Sequence, residues 1–322
     1  MEYENREHWR SETVSFMALA SIKGVGFWTL HRIAKAGVSF KSVLKTASIE
    51  EFEKLLSISA QVNDHSWETY QQNLWDVGLD KTRELAKNGV NIFFKGQQGF
   101  PLKLSIIADA PYWVFIQGNP QNLFNKAVAV VGSRKVTDDG IFLTKMVVSA
   151  LAFKDIVTVS GLASGIDQVA HVESIRYGIP TIAVLGTGIN NDYPRGSEIL
   201  RSEILKAGGT VISEYLPDQT YSAQTFVRRN RLQAALADTL IPTEWAIKSG
   251  TAHTVEFAYS YGKNISNVYL PGTYSKRSEL KFSEGNRDAY SYELPKELPK
   301  MIELIASGSS APKSATQIQI EL

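Results

Sequence analysis

The chain has 322 residues, of which 43% are hydrophobic and 21% charged, a balance that suits a globular protein of two or three domains. The formal net charge is only +1, so total charge gives no argument for nucleic-acid binding, and a basic surface would have to come from an uneven distribution of charge. The sequence has no cysteine, which excludes disulfides, thiolate metal sites and a cysteine nucleophile.

A cytoplasmic location is expected from the same features. The first residues are charged and lack the apolar core of a secretory signal, and no apolar run approaches the length that spans a bilayer. The absence of cysteine fits a reducing compartment. We therefore expect a cytoplasmic protein with no membrane partner.

Residues 1–95 have the pattern of a small all-α domain. The segment Val14–Ala20 is apolar, and a later amphipathic stretch is expected to end at Gly37. Between them, residues 22–26 read Ile-Lys-Gly-Val-Gly, a turn that could present backbone N–H groups to a DNA phosphate, although a plain helical hairpin has the same pattern. The sequence predicts a domain of the SAM or helix-hairpin-helix type here.

From about residue 125, short apolar runs alternate with helical stretches, which is typical of a parallel sheet with crossover helices. The predicted strands are Ala127–Val131, Ile156–Val159, Thr181–Leu185, Thr210–Ser213, Thr239–Thr243 and Asn267–Leu270. The predicted helices cover about 139–153, 166–177, 196–207, 225–237 and 251–262. The fold class is therefore α/β, with an extended Rossmann-like, doubly wound and mostly parallel sheet over residues 96–275. Ligands are expected at the carboxyl ends of its strands.

After Gly272 the pattern weakens, and residues 276–322 are expected to form a C-terminal extension. A short helix is predicted at about 297–306, followed by a flexible tail with the sequence SGSSAPKSATQIQIEL.

Small and polar residues follow the predicted strands, where the carboxyl ends of a parallel sheet meet. Glycine permits close backbone approach, and the free N–H groups at the start of the following helices favour an anion. The expected phosphate site comprises Gly132, Ser133, Arg134, Ser160, Gly161, Gly165, Gly186, Gly188, Lys248, Ser249, Gly250 and Thr251. Each loop alone has the composition of an ordinary strand-to-helix turn, but the whole set predicts phosphate binding. Neither GxGxxG nor GxxxxGK[ST] is present, so no nucleotide cofactor is expected.

The segment FVRRNR adds three arginines at a predicted helix start. The cluster comprises Arg228, Arg229, Asn230 and Arg231. Because the helix dipole opposes cations at this end, the cluster indicates a negative ligand nearby, and arginine forks suit phosphate oxygens. The alternative is a solvated face or internal ion pairs, with Glu214 or Glu244 as partners.

Asp167 and His171 lie four residues apart and should share a helix face. The pair invites an acid–base or metal interpretation, but no other His, Asp or Glu cluster is close in sequence, so no metal is expected. Both residues are counted with the expected DNA-binding site, and hydrogen bonding that orients the neighbouring backbone is their favoured role. Tyr193, in the loop after the third strand, either stacks on a base or holds that loop in place.

A series of motifs also follows the order of a known family. The motifs are Phe100-Pro101-Leu102, Ala110-Pro111, Gly118-Asn119, Val130-Val131-Gly132-Ser133-Arg134, SGLASGIDQVAH (160–171), IPTIAVLGTGINNDYP (179–194), Ser213-Glu214-Tyr215, FVRRNR (226–231), KSGTAHT (248–254) and LPG (270–272). Over about residues 95–272 the chain resembles the DNA-processing protein A (DprA/Smf) family.

The resemblance implies a non-enzymatic protein that binds and protects single-stranded DNA. It also implies a homodimer that loads the RecA recombinase during DNA uptake, natural transformation and recombination. In such a protein, residues 132–134 and the neighbouring loops form a basic pocket for the DNA backbone. The positive rim would be formed by Arg228, Arg229, Arg231 and Lys248.

Two features depart from the family pattern and indicate a divergent member. The C-terminal region is too short and polar for the winged helix that many members carry. Pro242 interrupts the fifth predicted strand, and because proline lacks a ladder donor, a bulge or an edge position is expected there.

Two alternative functions stay open. The segment SGTAHTVEF, with Glu256, partly resembles the signature of enzymes on the same fold that hydrolyse nucleoside monophosphates. The divergent C-terminal region leaves open a sensor of a nucleotide-derived signal in phage defence.

Overall fold

The computed structural model describes residues 2–62 and 66–308. The strands are β1 Val90–Phe94, β2 Trp113–Gly118, β3 Ala127–Gly132, β4 Val157–Ser160, β5 Thr181–Val184, β6 Thr210–Ser213, β7 Thr239–Glu244, β8 Asn264–Tyr269 and β9 Tyr290–Glu293. The helices are α1 Glu2–Ala20, α2 Phe27–Lys35, α3 Phe40–Lys45, α4 Ile49–Leu56, α5 Trp67–Lys87, α6 Leu102–Ser105, α7 Asp138–Ala150, α8 Ile166–Arg176, α9 Ser197–Lys206, α10 Ala223–Leu236, α11 Gly250–Ser260, α12 Ser278–Asn286 and α13 Leu298–Ser307.

Within the described residues, the strands form one nine-stranded sheet in the order β1-β2-β6-β5-β4-β3-β7-β8-β9. The strands from β6 to β9 along this order are parallel, whereas β2 and β1 extend the sheet in antiparallel fashion. The chain winds outward from β3 to β6, crosses back through α10, and continues on the other side with β7. The predicted doubly wound, mostly parallel α/β sheet is confirmed, and β3 marks its topological switch point.

Alternating side chains cover the two faces of the sheet. In β3, Val128 and Val130 pack with α7, α8 and α13 on one face, while Ala129 and Val131 pack with α10 and α11 on the other. Because both faces are covered by helices, the strand is apolar at nearly every position, as the sequence indicated.

Three strands and two helices were not predicted from the sequence: β1, β2, β9, α6 and α12. Strand β9 reads Tyr-Ser-Tyr-Glu, and only its third residue is buried, so it lacks an apolar run. Strand β1 lies within residues 1–95, which were predicted to be helical, and β9 lies within the predicted C-terminal extension. The sheet therefore continues across both predicted domain boundaries.

The N-terminal helices share a core with the antiparallel edge of the sheet. The ring of Phe16 on α1 lies 4.8 Å from that of Trp113 on β2, between ring centroids. Trp113 Nε1 donates to the Glu214 carbonyl oxygen at 2.8 Å, which ties β2 to the end of β6. Gly37, with φ +71°, follows the end of α2 as predicted. Helices α1 and α2 are thereby held against β2 and against the segment that follows β6.

Strand β7 contains an extra residue where the sequence predicted an irregularity. Val131 pairs with Pro242, but the next residue, Gly132, pairs with Glu244, so Thr243 bulges out of register. The predicted bulge is confirmed, whereas the edge position is wrong because β7 lies between β3 and β8. The bulge brings Glu244 next to the loop that follows β3.

The C-terminal region adds the predicted helix, which is α13. The predicted flexible tail falls almost entirely at 309–322, outside the described residues. Of the helices that the structure describes, none has both the length and the apolar character needed to cross a bilayer.

Candidate nucleic-acid interface

A cavity of about 470 Å³ opens at the switch point of the sheet. The loops after β3, β4 and β7 form three of its walls, and one face of α10 forms the fourth. The predicted residues that line it are Gly132, Ser133, Arg134, Asp167, Arg229, Asn230, Ser249, Gly250 and Thr251. Parallel α/β sheets bind ligands at this position because strand order reverses there.

The loop after β3 holds two cations in solvent. The Ser133 N–H donates to the Glu244 carbonyl oxygen at 2.7 Å, and the Ser133 hydroxyl donates to the Lys135 carbonyl oxygen at 2.5 Å. These bonds fix the turn and leave the side chains of Arg134 and Lys135 exposed. Across the described ranges, no carboxylate lies within ion-pair distance of Arg134, Lys135 or Lys248, so their charges are available to a ligand.

The loop after β4 packs directly under the loop after β3. Gly165 has φ +93°, and a Cβ on it would lie 2.3 Å from the Ser133 carbonyl oxygen. Only glycine fits such a backbone with such a neighbour. The buried Asp167 carboxylate lies against the backbone of this loop, since a Cβ on Gly161 would lie 2.6 Å from its Oδ2. Burial raises the pKa of Asp167, and the nearby Arg229 guanidinium and the polar groups of Ser160, Ala163 and Gly161 oppose that shift. The interpretation that Asp167 orients neighbouring backbone is therefore supported.

Arg229 forms the floor of the cavity. Its side chain is only 3% exposed, and its Nη1 donates to the Gly161 carbonyl oxygen at 2.5 Å and to that of Val184. Burial lowers the pKa of Arg229 to about 10, a shift that the Asp167 carboxylate partly opposes. The guanidinium stays charged at neutral pH, holds the ends of β4 and β5 together, and contributes positive potential from below.

The start of α11 faces the cavity from the β7 side. The Thr251 hydroxyl donates to the Gly132 carbonyl oxygen at 3.0 Å, and Asn230 Nδ2 donates to the Gly250 carbonyl oxygen at 3.0 Å. Ser249 is the N-cap residue, but its side chain makes no capping hydrogen bond. The first N–H groups of this helix are therefore available to an anion in the cavity.

Aromatic rings stand at the mouth of the cavity. Tyr193 lies 4.1 Å from Tyr221 and 5.0 Å from Phe226, between ring centroids, and Tyr221 is 56% exposed. The guanidinium of Arg134 lies over Phe226, 5.0 Å from the ring centroid. Tyr193 was predicted, whereas Phe226 and Tyr221 were missed. Phe226 could have been found, because a helix places it on the same face as Arg229 and Asn230.

The arginine cluster lies deeper in its helix than predicted. Helix α10 begins at Ala223, so the prediction that the cluster stands at a helix start is wrong. Arg231 is 1% exposed and forms a bidentate ion pair with Glu214, with N–O distances of 2.6 and 2.9 Å. The alternative interpretation, an internal ion pair, is thus correct for Arg231. Its burial leaves no surface for direct contact with DNA. Arg228 is partly exposed and lies 3.4 Å from the same carboxylate.

Two further predicted residues are buried behind the cavity wall. His171 is completely buried, and its Nδ1 is 2.8 Å from the Thr181 hydroxyl. Burial lowers the pKa of His171 to about 3, so the ring is neutral at physiological pH. Ser160 is also completely buried and donates to the Val130 carbonyl oxygen at 2.7 Å. The prediction that they contact a ligand is therefore wrong, because both side chains hold neighbouring elements together.

Gly186 and Gly188 do not line the cavity and instead let other segments pass close to the loop after β5. Both are buried. A Cβ on Gly186 would lie 2.5 Å from the ring of Phe226, and one on Gly188 would lie 2.0 Å from the Leu216 carbonyl oxygen. Both glycines are needed because other segments pass within van der Waals distance.

The residues required by an enzymatic alternative do not converge on the cavity. Glu256 lies on the outer side of α11, where its Oε2 is 2.6 Å from Arg287 Nε, while Thr251 and Thr254 face the cavity. Within the part of the chain that the structure describes, no three His, Asp or Glu side chains lie close enough together to hold a metal ion.

Comparisons with known proteins relate this chain to one family. The family model for DNA recombination-mediator protein A matches residues 91–290. The chain is 35% identical to Protein Smf of Borreliella burgdorferi over 192 residues, which is 59% of this chain and 61% of that protein. It is 37% identical to DNA processing protein DprA of Streptococcus pneumoniae over 174 residues, which is 54% of this chain and 60% of that protein. The matches thus span about three fifths of these relatives' own length.

Solved structures share the fold. The crystal structure of DprA from Streptococcus pneumoniae superposes with a TM-score of 0.58 at 24% identity, covering 99% of this chain and 98% of that one. A structure of DNA processing protein A from Helicobacter pylori, described as having a unique single-stranded DNA binding mode, also gives a TM-score of 0.58 at 24% identity, covering 66% of this chain and 96% of that one.

Proposed function

Because the chain belongs to the DNA recombination-mediator protein A family, we propose that it binds single-stranded DNA in the cavity at the switch point of its sheet. The observation that carries the proposal is a pair of cations lining this cavity, Arg134 and Lys135, that have no carboxylate partner among the described residues. Unpaired cations next to free helix N–H groups are the chemistry that phosphodiesters need.

In this proposal, the backbone and the bases of the strand contact different parts of the site. A phosphate is held by Arg134 and by the N–H groups at the start of α11, with Arg229 beneath it. The adjoining bases stack on Tyr221 and Phe226 at the mouth. Stacking and phosphate contacts carry little sequence information, so binding depends little on base composition.

The aromatic mouth favours a single strand over a duplex. A base can stack on a protein ring only when its face is free, and in a duplex both faces are covered by neighbouring base pairs. The exposed ring of Tyr221 therefore has a partner in single-stranded DNA and none in a duplex.

The family membership extends the proposal to partners and location. The protein would act in the cytoplasm as a homodimer that protects the bound strand and passes it to the RecA recombinase during DNA uptake and recombination, without catalysing a reaction. A dimer would lengthen the groove and make coverage of the strand cooperative. Sedimentation of the free and DNA-bound protein, and strand exchange by RecA in its presence and absence, test these two statements.

A salt titration with single-stranded and duplex oligonucleotides tests DNA binding itself. Replacing Arg134 removes one phosphate contact, so the slope of log affinity against log salt should fall by about 0.7 for a single strand. The matched control is Lys154→Ala, which removes the same charge from an exposed residue before β4, at the opposite edge of the sheet. Equal slopes for Arg134→Ala and the wild type would contradict the proposed site.

A free nucleotide is the second candidate ligand, because a cavity of about 470 Å³ has the volume of a small-molecule site. Such a ligand would make the protein a nucleotide-signal sensor, or an enzyme acting on nucleoside monophosphates. Thermal shift measurements with mononucleotides and oligonucleotides, and an assay for released base, separate these functions. A large shift with a mononucleotide and none with an oligonucleotide would favour the sensor.

A further inference from the structure

A second groove runs beside the cavity, on the other side of α10. It has a volume of about 590 Å³ and lies between the start of α10 and α2 of the N-terminal region. Ala223 and Val227 line both the groove and the cavity, so the two are separated only by the first turns of one helix. A ligand that leaves the cavity across these turns enters the groove directly.

Trp28 presents a large aromatic surface in this groove. Its side chain is 62% exposed, although burying an indole is strongly favourable. The Arg228 guanidinium lies over the indole, 5.1 Å from its centroid, and Arg228 Nε lies 3.4 Å from the buried Glu214 carboxylate. Phe27 contacts Trp28 edge-on at a centroid distance of 5.0 Å. The indole is thus supported by a fixed arginine and a buried ring, while most of its surface stays in solvent.

The charge around Trp28 suits a polyanion. Helix α2 carries Arg32 and Lys35 in its last turn and no acidic residue. On the groove side of Trp28 the carboxylates are already engaged, because Glu214 pairs with Arg231 and Asp109 accepts from the Tyr261 hydroxyl at 2.6 Å. Glu84 and Asp218 line a separate cavity on the other side of Trp28, beside Lys81. An indole and a guanidinium with basic neighbours form the combination on which bases of single strands stack.

We propose that Trp28 is a second base-stacking site for the same DNA strand, which crosses the first turns of α10 from the cavity into this groove. The inference rests on the proposed function and deepens it, because it assigns a DNA contact to the N-terminal helical region. The strand would have to cross one helix, a width of about 10–12 Å with side chains. A binding site of this length favours strands of several nucleotides over a single nucleotide.

Intrinsic fluorescence and affinity for oligothymidylates of increasing length test the inference. Stacking of a base on Trp28 should quench part of the protein fluorescence only when the oligonucleotide is long enough to leave the cavity. Trp28→Ala should remove this quenching and weaken binding of the long oligonucleotides by about 5- to 150-fold, with little effect on the shortest ones that bind. Trp28→Phe keeps an aromatic face and should retain most of the affinity.

Phe153→Ala is the matched control, since Phe153 is a fully exposed aromatic residue in the loop before β4, at the opposite edge of the sheet. It should leave affinity at every length unchanged. If Arg134→Ala weakens binding but Trp28→Ala leaves the length dependence intact, the Trp28 site is wrong and the cavity stands. If Arg134→Ala has no effect on any length, the cavity itself is wrong.

Discussion

The buried ion pair between Arg231 and Glu214 gives a sharp test of which arginines serve the fold. Both side chains are at most 2% exposed, and the carboxylate receives two hydrogen bonds from the guanidinium. Glu214→Gln keeps the shape of the side chain but removes its charge. The variant would leave the Arg231 charge buried beside a neutral amide.

The expected loss of stability follows from the partners that remain. Removing one member of a buried ion pair typically costs about 3–5 kcal/mol. Arg231 keeps a second carboxylate, because its Nε lies 3.1 Å from Asp109, whose side chain is 44% exposed. An ion pair with so exposed a partner compensates by at most about 1 kcal/mol. We therefore expect Glu214→Gln to lower the free energy of unfolding by about 2–4 kcal/mol.

Urea unfolding measures this loss as a lower midpoint with an unchanged slope. The control is the double variant Glu214→Leu/Arg231→Met, which removes both charges and should recover much of the stability. Because Arg231 does not line the cavity, the double variant should retain affinity for the shortest oligonucleotides that bind, which reach only the cavity. A folded double variant that loses as much affinity for these oligonucleotides as Arg134→Ala would refute the assignment of Arg231 to the fold.

Three further predictions concern residues around the cavity. The pKa of His171 is about 3 in the folded protein, below its value in the unfolded chain. The neutral ring therefore stabilises the fold fully above about pH 6.5, and the free energy of unfolding falls by about 1.4 kcal/mol for each pH unit below that. Urea midpoints at pH 7.5 and pH 5 should accordingly fall more steeply for the wild type than for His171→Gln. Gly165→Ala should lower stability by about 1–3 kcal/mol in calorimetry, whereas Gly250→Ala, whose Cβ meets nothing within 4 Å, should not. Asn230→Ala removes the hydrogen bond to the Gly250 carbonyl oxygen, so it should lower the free energy of unfolding by about 1 kcal/mol. It should also weaken oligonucleotide binding several-fold in anisotropy titrations. Unchanged affinity would contradict a role for the start of α11 in binding.

The sequence predicted the parallel part of the sheet because those strands carry a strong local signal. Thr210–Ser213 was predicted with its exact bounds, and the helix from 166 to 177 differs from α8 by one residue at its end. Strand β1 was missed for a physical reason: its five residues, with Asn91 exposed, owe their conformation to pairing with β2. Such pairing lies between distant segments and leaves little trace in local composition.

The candidate site was predicted at the level of loops and only partly at the level of side chains. Glycine patterns located the loops after β3, β4 and β7, since the backbone there must come close to other segments. The pattern RRNR could not reveal that Arg229 lines the cavity while Arg231 serves the fold, because Arg231 pairs with Glu214, which comes from a distant segment after β6. Sequence spacing alone also could not place His171, which shares a helix with Asp167 but faces Thr181.

The bulge in β7 has a consequence for how the site could be retuned. Through the bulge, Glu244 receives hydrogen bonds from the N–H groups of both Ser133 and Thr137, on its carbonyl oxygen and its carboxylate respectively. The position of Arg134 therefore depends on the extra residue in β7, which does not itself contact a bound phosphate. A substitution at Pro242 that restored regular pairing would move Glu244, which holds the loop after β3. Ligand preference would then change although every side chain that contacts the ligand stayed the same.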